Sequence, residues 1–390
     1  MSDNLKVHGL DGTMVVPDWP ALTLAELRDL FEPFADLGVP IDIVFTSPRP
    51  LSAAAVINTA RGSFFVKRHA RVVRDREGLL EEHRFMSHLH AHGARIPRVL
   101  ADRSGNSAIE IGNSTYEVHE IAQGIDIYAD AISWTPFFCA AHARQAGRTL
   151  AQLHLAARGF EAPRRHVQPL VASFTIFNKV HAAAEMRRYL AARATLAGHA
   201  GVQRCAEAAL EVLAPYQAEL LPLLSHLHPL WTHNDLHASN LLWSAAGEDA
   251  HATALIDFGL ADQTNAAHDL ANAIERNIVE WLALAQDPGQ PDDVRVHFDH
   301  LQALLNGYES VRPLSDEEAA ALAPMTALCH VEFALSEADY FLGALNSEEN
   351  ARRAYDGYLV GHARWFRSVS GVGLLDVIRH WADSRRKVHQ

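Results

Sequence analysis

The stretch from Leu230 to Asp262 constrains the fold more than any other part of the sequence. It contains two short apolar runs, each with polar residues at its ends. Asp235 precedes the first run, Asn240 stands five residues later within it, and Asp257 closes the second run as part of an Asp-Phe-Gly triplet. Paired strands would hold such groups in register, as a reaction at one shared centre requires. The spacing therefore predicts two strands with a polar site at their ends.

The order of an Asp, an Asn and a second Asp suits phosphoryl transfer. The reaction needs one carboxylate to orient the attacking hydroxyl. It also needs two oxygen ligands that hold Mg²⁺ on the ATP phosphates. The alternative is a metal triad of His233, Asp235 and His237, but zinc sites need further ligands of matching type, which the neighbouring sequence does not supply. That alternative also leaves Asn240 and Asp257 without a role.

The same stretch resembles the catalytic and metal loops of the aminoglycoside phosphotransferase and choline kinase superfamily. Those loops usually read His-Gly-Asp-Leu-His-x-x-Asn, whereas this chain has Asn234 at the glycine position. The resemblance extends over most of the chain, roughly from Val44 to Phe366. It implies that Asp235 is the catalytic base, that Asn240 and Asp257 are the Mg²⁺ ligands, and that the cofactors are ATP and Mg²⁺.

The resemblance also implies an α+β, two-lobed fold like that of the protein kinases. We expect an N-terminal helix and a small antiparallel-sheet lobe over residues 1–118, a hinge over 119–124, and a large, mainly helical lobe over 125–390. Hydrophobic periodicity divides the small lobe further. The predicted helices are 22–37 and 75–92, and the predicted strands are 41–46, 53–59, 63–69, 108–111 and 115–121.

Lys67 ends an apolar run on the third predicted strand, and strand alternation places it on the same face as Phe65. A lysine that faces the cleft is what the α- and β-phosphates require, and a helical glutamate would hold it there. Glu82 matches the family pattern Glu-x-x-x-apolar-x-x-Leu and is the predicted partner. Glu81 is the off-register alternative, and a solvated strand lysine is the alternative role for Lys67.

The resemblance assigns the adenine site to the hinge and to the two apolar runs. The main chain of Glu120 and Ala122 should bind the base, while Leu242 and Ile256 should lie against it, and Phe65 completes the nucleotide site. The phosphate-covering loop of the family is rich in glycine, but here residues 47–52 contain none. Arg49 or Ser52 could substitute. This departure is the one feature that favours a rival reading, a nucleotide-binding pseudokinase without turnover.

The acceptor is predicted to be a small molecule, because only about ten residues separate Gly259 from Asp269 and a protein substrate needs a longer platform. Glu332 and Asp339 fall on one helix face and would recognise an amine-bearing acceptor. The candidates are an aminoglycoside or a metabolite of the homoserine, hydroxylysine or choline type. A solvated acidic face is the alternative for these two carboxylates.

The bulk composition excludes several functional classes. A formal charge of −13 over 390 residues argues against a nucleic-acid partner, since no basic stripe offsets it. The three cysteines are scattered and predict reduced thiols, and the N-terminal residues show no apolar signal segment. We therefore expect a cytoplasmic protein that does not bind membranes. The sequence leaves the oligomeric state open.

Overall fold

The computed structural model describes residues 7–8, 14–15, 17–286 and 289–388, which form twelve strands and fourteen α-helices. The strands are β1 (Val7–His8), β2 (Met14–Val15), β3 (Pro40–Thr46), β4 (Ala53–Thr59), β5 (Gly62–Ala70), β6 (Val99–Leu100), β7 (Ile109–Ile111), β8 (Ser114–Glu120), β9 (Pro229–Thr232), β10 (Leu241–Trp243), β11 (Ala252–Leu255) and β12 (Asp262–Asn265).

The helices dominate the second half of the chain. They are α1 (Leu24–Phe31), α2 (Arg76–Ala91), α3 (Ala140–Ala156), α4 (Ala182–Ala191), α5 (Ala194–Ala197), α6 (Ala200–Leu220), α7 (Ala266–Ile278), α8 (Trp281–Gln286), α9 (Phe298–Glu309), α10 (Asp316–Leu328), α11 (His330–Gly343), α12 (Glu348–Arg352), α13 (His362–Trp365) and α14 (Val369–Val388). A π-helical segment, Arg353–Gly361, joins α12 to α13.

Strands β3 to β8 form an antiparallel sheet with the order β3-β4-β5-β8-β6, and β7 also pairs with β8. One face of the sheet is covered by α1. Leu27 and Phe31 of α1 pack against Ile57 and Val66 of the sheet, and all four side chains are at most 2% exposed. The other face of the sheet turns towards α2 and the large lobe.

The predicted helix over 22–37 is shorter in the structure. It begins after Thr23, whose hydroxyl accepts a hydrogen bond from the backbone N–H of Glu26. The α-helix ends at Phe31 and continues as a 3₁₀ turn over Glu32–Leu37. Pro33 explains the change, because proline lacks the N–H that the next α-helical turn needs and clashes with the preceding carbonyl.

The segment that follows β8 packs tightly against the β10–β11 hairpin. Ile125 and Trp243 exchange backbone hydrogen bonds of 2.9 Å in both directions. Gly124 has φ +122°, and a Cβ at this position would lie 2.2 Å from the hydroxyl oxygen of Thr253. Glycine is therefore required where this linker crosses the hairpin. The predicted lobe boundaries at 118/119 and 124/125 remain predictions.

The large lobe is built around the contact between α3 and α9. At their closest approach a Cβ on Gly147 would lie 2.0 Å from the carbonyl oxygen of Leu304, and one on Gly307 would lie 2.1 Å from that of Arg144. The two glycines let the helix backbones touch. This contact fixes α3 against α9.

One helical segment is apolar enough to resemble a membrane span. Asp316–Gly343, which contains α10 and α11, has 28 residues and a mean hydropathy of 1.3 in its most apolar window. Within the protein, 94% of that window is buried. The core helix of a globular domain passes the same test, so the segment is weak evidence for a membrane.

Candidate active site

Two strand pairs bring the polar residues of the 230–262 stretch together. β9 pairs with β12 and β10 pairs with β11, both in antiparallel register. Asp235 and Asn240 lie on the connection from β9 to β10, and Asp257 comes two residues after β11 ends. The backbone N–H of Ile256 donates to the carbonyl of Asn240 at 2.9 Å. The ends of the two runs therefore lie side by side, as their spacing predicts.

Asn234 stands at the glycine position of the family motif, and its backbone is left-handed, with φ +60°. Asparagine tolerates this conformation better than most residues that carry a Cβ. Its side chain is fully buried, and its Oδ1 accepts from the hydroxyl of Thr232 at 2.9 Å while its Nδ2 donates to the carbonyl of Leu260 at 3.2 Å. Asn234 therefore provides both the turn and a link to the loop that follows β11.

The loop is braced from below by Asp269. Its carboxylate accepts the backbone N–H groups of His233 at 2.9 Å and Asn234 at 2.7 Å, and it contacts Nε2 of His154 at 2.9 Å. These contacts give His154 and Asp269 a structural role. Asn265 caps α7, and Asp269 lies within the first turn of that helix.

Asp235 is held in one orientation by two neighbours. Its Oδ1 lies 3.0 Å from a guanidinium nitrogen of Arg276, and its Oδ2 accepts from Nδ2 of Asn240 at 3.2 Å. Burial raises the pKa of Asp235, although the positive charge of Arg276 opposes the shift. Arg276 in turn lies over the rings of Trp134 and Phe333, with centroid distances of 5.1 and 4.7 Å. No motif in the sequence identifies Arg276.

Asp257 faces the cleft from a left-handed backbone, with φ +61°. Its Oδ1 lies 3.0 Å from Nζ of Lys67, and 43% of its side chain is exposed. Burial alone would raise the pKa of Asp257, but the ammonium group of Lys67 outweighs it and lowers the pKa to about 2. The carboxylate is therefore ionised at neutral pH.

The predicted ion pair between Lys67 and Glu82 is wrong. Lys67 pairs with Asp257, while Oε2 of Glu82 lies 3.5 Å from a guanidinium nitrogen of Arg165. The same guanidinium lies 3.6 Å from Glu81. Arg165 lies between α2 and the loop that follows β11, and it pairs with the two glutamates of α2. Glu82 therefore acts on Lys67 only through its charge. Arg165 lies in an irregular segment after α3, where no periodic signal marks it.

A cleft of about 310 Å³ lies between the sheet and the helical lobe. The predicted residues that line it are Lys67, Asp235, Asn240 and Asp257, together with Arg49 and Ser52 of the glycine-free loop. Arg49 spans the cleft, and its guanidinium donates to the hydroxyl of Ser133 at 2.5 Å.

The predicted adenine contacts lie outside the residues that line this cleft. They are Phe65, Glu120, Ala122, Leu242 and Ile256. The linker does pass over one of them, since a Cβ on Gly124 would lie 3.0 Å from the Cβ of Leu242. The assignment of these five residues to adenine stays a prediction.

The predicted acceptor residues are wrong, because neither Glu332 nor Asp339 lines the cleft. Glu332 is 3% exposed, and its carboxylate accepts hydrogen bonds from the backbone N–H groups of Thr175 and Ile176. Asp339 accepts from the hydroxyl of Thr195. Both carboxylates attach α11 to the segments packed beside it, and neither forms the solvated face that was the alternative.

A different face of α11 borders the cleft. Phe333, Glu337 and Phe341 recur every four residues and line it. Glu337 is 4% exposed, and its Oε2 has no hydrogen-bond partner among the residues that the structure describes. Sequence reasoning missed Glu337, which lies on the same fully buried helix as Glu332 and Asp339.

Several known proteins are similar to this chain. A homoserine kinase from Methylobacterium radiotolerans is 28% identical over 272 residues, which cover 68% of this chain and 70% of that protein. A homoserine kinase from Gluconobacter oxydans is 23% identical and covers 80% of this chain and 86% of its own length.

Solved structures show the same fold. The microcompartment-associated aminopropanol kinase superposes with a TM-score of 0.54 at 16% identity, over 86% of this chain and 94% of that one. An amicoumacin kinase, solved in complex with AMP-PNP, Ca²⁺ and Ami, superposes with a TM-score of 0.52 at 13% identity, over 85% of this chain and 89% of that one. The predicted two-lobed, kinase-like α+β fold is confirmed.

A family model described as the phosphotransferase enzyme family matches residues 52–314, which is more than half of the chain. The match includes Lys67, Asp235, Asn240 and Asp257. It agrees with the small-molecule kinase class that the sequence predicts. The chain therefore belongs to the phosphotransferase enzyme family.

Proposed function

We propose that this protein transfers the γ-phosphate of ATP, with Mg²⁺, to the hydroxyl group of a small amino alcohol, with a homoserine-like compound as the first candidate. The observation that carries the proposal is the convergence of Lys67, Asp235, Asn240 and Asp257 on one cleft. The similar proteins named homoserine kinase and aminopropanol kinase support an acceptor with both a hydroxyl and an amine.

The donor atoms in the cleft fit a hard divalent cation. The amide nitrogen of Asn240 is turned towards Asp235, which leaves the amide oxygen as the atom available to a metal. Asp257 adds a half-exposed carboxylate. Oxygen donors of this kind suit Mg²⁺ and are poor for softer metals. When bound, Mg²⁺ would neutralise charge on the ATP phosphates.

Asp235 is suited to act on the acceptor hydroxyl. Arg276 and Asn240 each fix one of its carboxylate oxygens, so the group is oriented before an acceptor arrives. Because burial raises its pKa, Asp235 is a better proton acceptor than a solvated aspartate. It would orient the hydroxyl and receive its proton late in the transfer.

Two cations of the protein face the phosphate region. Although burial opposes it, the pair with Asp257 raises the pKa of Lys67, so its ammonium group stays charged. Arg49 approaches from the loop that covers phosphates in the family, and the charges of Asp235 and Asp257 act on its guanidinium. Arg49 would replace with its side chain the contacts that a glycine-rich loop makes with its backbone.

Glu337 is suited to the amine of the acceptor. Its carboxyl group is buried and borders the cleft, and within the described part of the chain one of its oxygens has no hydrogen-bond partner. An ammonium group would supply the hydrogen bonds that this oxygen lacks. Phe333 and Phe341 flank it and would cover the carbon chain of a small acceptor.

The test is an ADP-release assay with ATP, Mg²⁺ and a panel that contains homoserine, aminopropanol, choline and aminoglycosides. We expect turnover with a small amino alcohol and its loss in Asp235→Asn, which should retain ATP binding. Turnover in Asp235→Asn at the wild-type rate would remove the assigned base. If no amine-bearing alcohol increases ADP release above the water background, the proposed acceptor class is wrong.

A further inference from the structure

A buried carboxylate in the small lobe gathers three imidazoles. Glu117 on β8 is 1% exposed, and its carboxylate oxygens lie 3.0 Å from Nε2 of His69 and 2.9 Å from Nε2 of both His83 and His119. All three histidines are less than 9% exposed. The proposed phosphoryl transfer gives this cluster no role.

The fold places these side chains together from three elements. Glu117 and His119 are two residues apart on β8 and so point to the same face of the sheet. His69 lies on the neighbouring strand β5. His83 comes from α2, which packs against that face. The cluster thus joins a helix to the sheet beside Lys67, the cross-strand neighbour of Glu117.

Three of the four side chains have the geometry of a metal site. The ligand atoms of His83, Glu117 and His119 all lie within 4.8 Å of one another. In a tetrahedral zinc site with bonds of about 2.0–2.1 Å, neighbouring ligand atoms are about 3.3 Å apart. The nitrogen–oxygen separations of 2.9 Å need to widen by only a few tenths of an ångström to admit the ion. We propose that His83, Glu117 and His119 bind one divalent transition-metal ion of the zinc type.

The groups around these ligands are those that orient ligands in metal sites. Nδ1 of His83 lies 2.9 Å from the hydroxyl of Ser107, so this nitrogen can carry the proton while Nε2 faces the metal. The second oxygen of Glu117 is 3.0 Å from His69, which would hold the carboxylate in place. Two of the three ligands therefore have an outer partner already in position.

The donor set separates this site from the one in the cleft. Two imidazole nitrogens and one carboxylate suit Zn²⁺ or Co²⁺, whereas the oxygen donors Asn240 and Asp257 suit Mg²⁺. Lys67 is close enough for its charge to act on Glu117, which opposes the binding of a cation. Asp257 lies 3.0 Å from that ammonium group and offsets this charge. Because His83 lies on α2 while Glu117 and His119 lie on β8, the metal would attach α2 to the sheet. Three protein ligands would leave one position of a tetrahedral ion for a water molecule.

The first experiment uses the whole, unmodified protein. After treatment with a chelator, it is titrated with Co²⁺ in excess Mg²⁺, which keeps the hard-ligand site occupied. We expect one equivalent of Co²⁺ per chain with the intense visible absorption of a four-coordinate ion, displaced by Zn²⁺. A plain hydrogen-bonded cluster gives no such band. Absence of the band, or only the weak absorption of a six-coordinate ion, would overturn the proposal.

The second experiment uses variants and a matched control. Ser107→Ala removes the outer partner of His83, keeps every contact to Glu117, and should weaken Co²⁺ binding by about 10–100-fold. His119→Asn should abolish the absorption band. His300→Asn alters the other His and Asp group, which comprises His297, Asp299 and His300, and should change nothing. Unchanged affinity in Ser107→Ala, or loss of the band in His300→Asn, would contradict the assignment. Circular dichroism confirms that each variant is folded.

Discussion

Raising the pH should tighten the binding of an amine-bearing acceptor, because Glu337 must lose a proton before it can face an ammonium group. Burial raises the pKa of Glu337 to about 8, and the nearby charge of Arg276 does not fully oppose this shift. The carboxyl group is therefore mostly neutral in the empty cleft at neutral pH. The titratable groups that act on it are Arg276, Asp235, Glu275 and Tyr358.

The size of the effect follows from the ionised fraction. One unit below the pKa, about a tenth of the Glu337 side chains are ionised, and this fraction falls about tenfold for each further unit. The KM for the acceptor should therefore rise about tenfold per pH unit below about 8, which corresponds to about 1.4 kcal/mol per unit. Above that pH it should level off. An aliphatic ammonium group stays charged over this range, so the slope belongs to the protein.

The assay measures initial rates at saturating ATP with homoserine, or whichever amino alcohol is active, from about pH 6 to about pH 8.5. A hydroxylated analogue without the amine serves as the control and should show no such slope. Glu337→Gln should raise the KM of the amine acceptor about 10-fold or more at the upper pH, as expected for the loss of a charged hydrogen bond of about 1.5–3 kcal/mol. It should also abolish the slope. A slope that persists in Glu337→Gln would show that another group, such as Asp235, titrates instead, and would refute the assignment.

Other predictions concern the phosphate side of the cleft. Asp235→Asn should lower kcat by about 10²–10⁴-fold and keep ATP affinity within a few-fold by calorimetry, whereas a wild-type kcat would exclude Asp235 as the base. Asp257→Ala should weaken ATP binding more with Mg²⁺ than without it, and equal weakening would count against a ligand role. Lys67→Met should raise the KM for ATP more than Glu82→Gln does, because Lys67 is paired with Asp257 and not with Glu82. The reverse order would support the predicted ion pair between Lys67 and Glu82. Arg49→Gln should raise the KM for ATP and leave the KM for the acceptor unchanged. A change in the acceptor KM alone would exclude a contact between Arg49 and the phosphates.

The sequence was sufficient where the site depends on local spacing. Asp235, Asn240 and Asp257 are positioned by two short strand pairs, and the length of the runs between them determines their separation. Even Asn234, which departs from the family motif, occupies a backbone conformation that glycine also adopts. These features depend on backbone geometry within one contiguous stretch, which is why the sequence indicates them.

The sequence failed where the choice depends on packing between distant segments. Every residue of α11 from His330 to Phe341 is buried, so hydrophobic periodicity does not show which face meets the cleft. Glu332, Asp339 and Glu337 are then equivalent by composition and differ only in their neighbours. Glu332 and Asp339 meet hydrogen-bond donors from other segments, and Glu337 meets the cleft.

Two arginines that the sequence did not indicate, Arg74 and Arg165, determine how α2 is attached to the loop that carries Asp257 and Gly259. Arg74 and Arg165 both donate to the carbonyl oxygen of Gly259, at 2.8 and 2.7 Å, and Arg165 also donates to the carbonyl oxygen of Gly78 in α2 at 2.6 Å. Buried guanidinium groups thus join α2 to the loop that carries Asp257 and Gly259. An ion pair between Lys67 and a glutamate of α2 is not needed to hold α2 in place. Lys67 is consequently free to pair with Asp257, whose pKa of about 2 keeps it ionised. Under the proposed function, Asp257 would hold Mg²⁺ and Lys67 would neutralise charge on the ATP phosphates. The pair between Lys67 and Asp257 therefore keeps two groups that the proposed function requires in their charged forms and side by side.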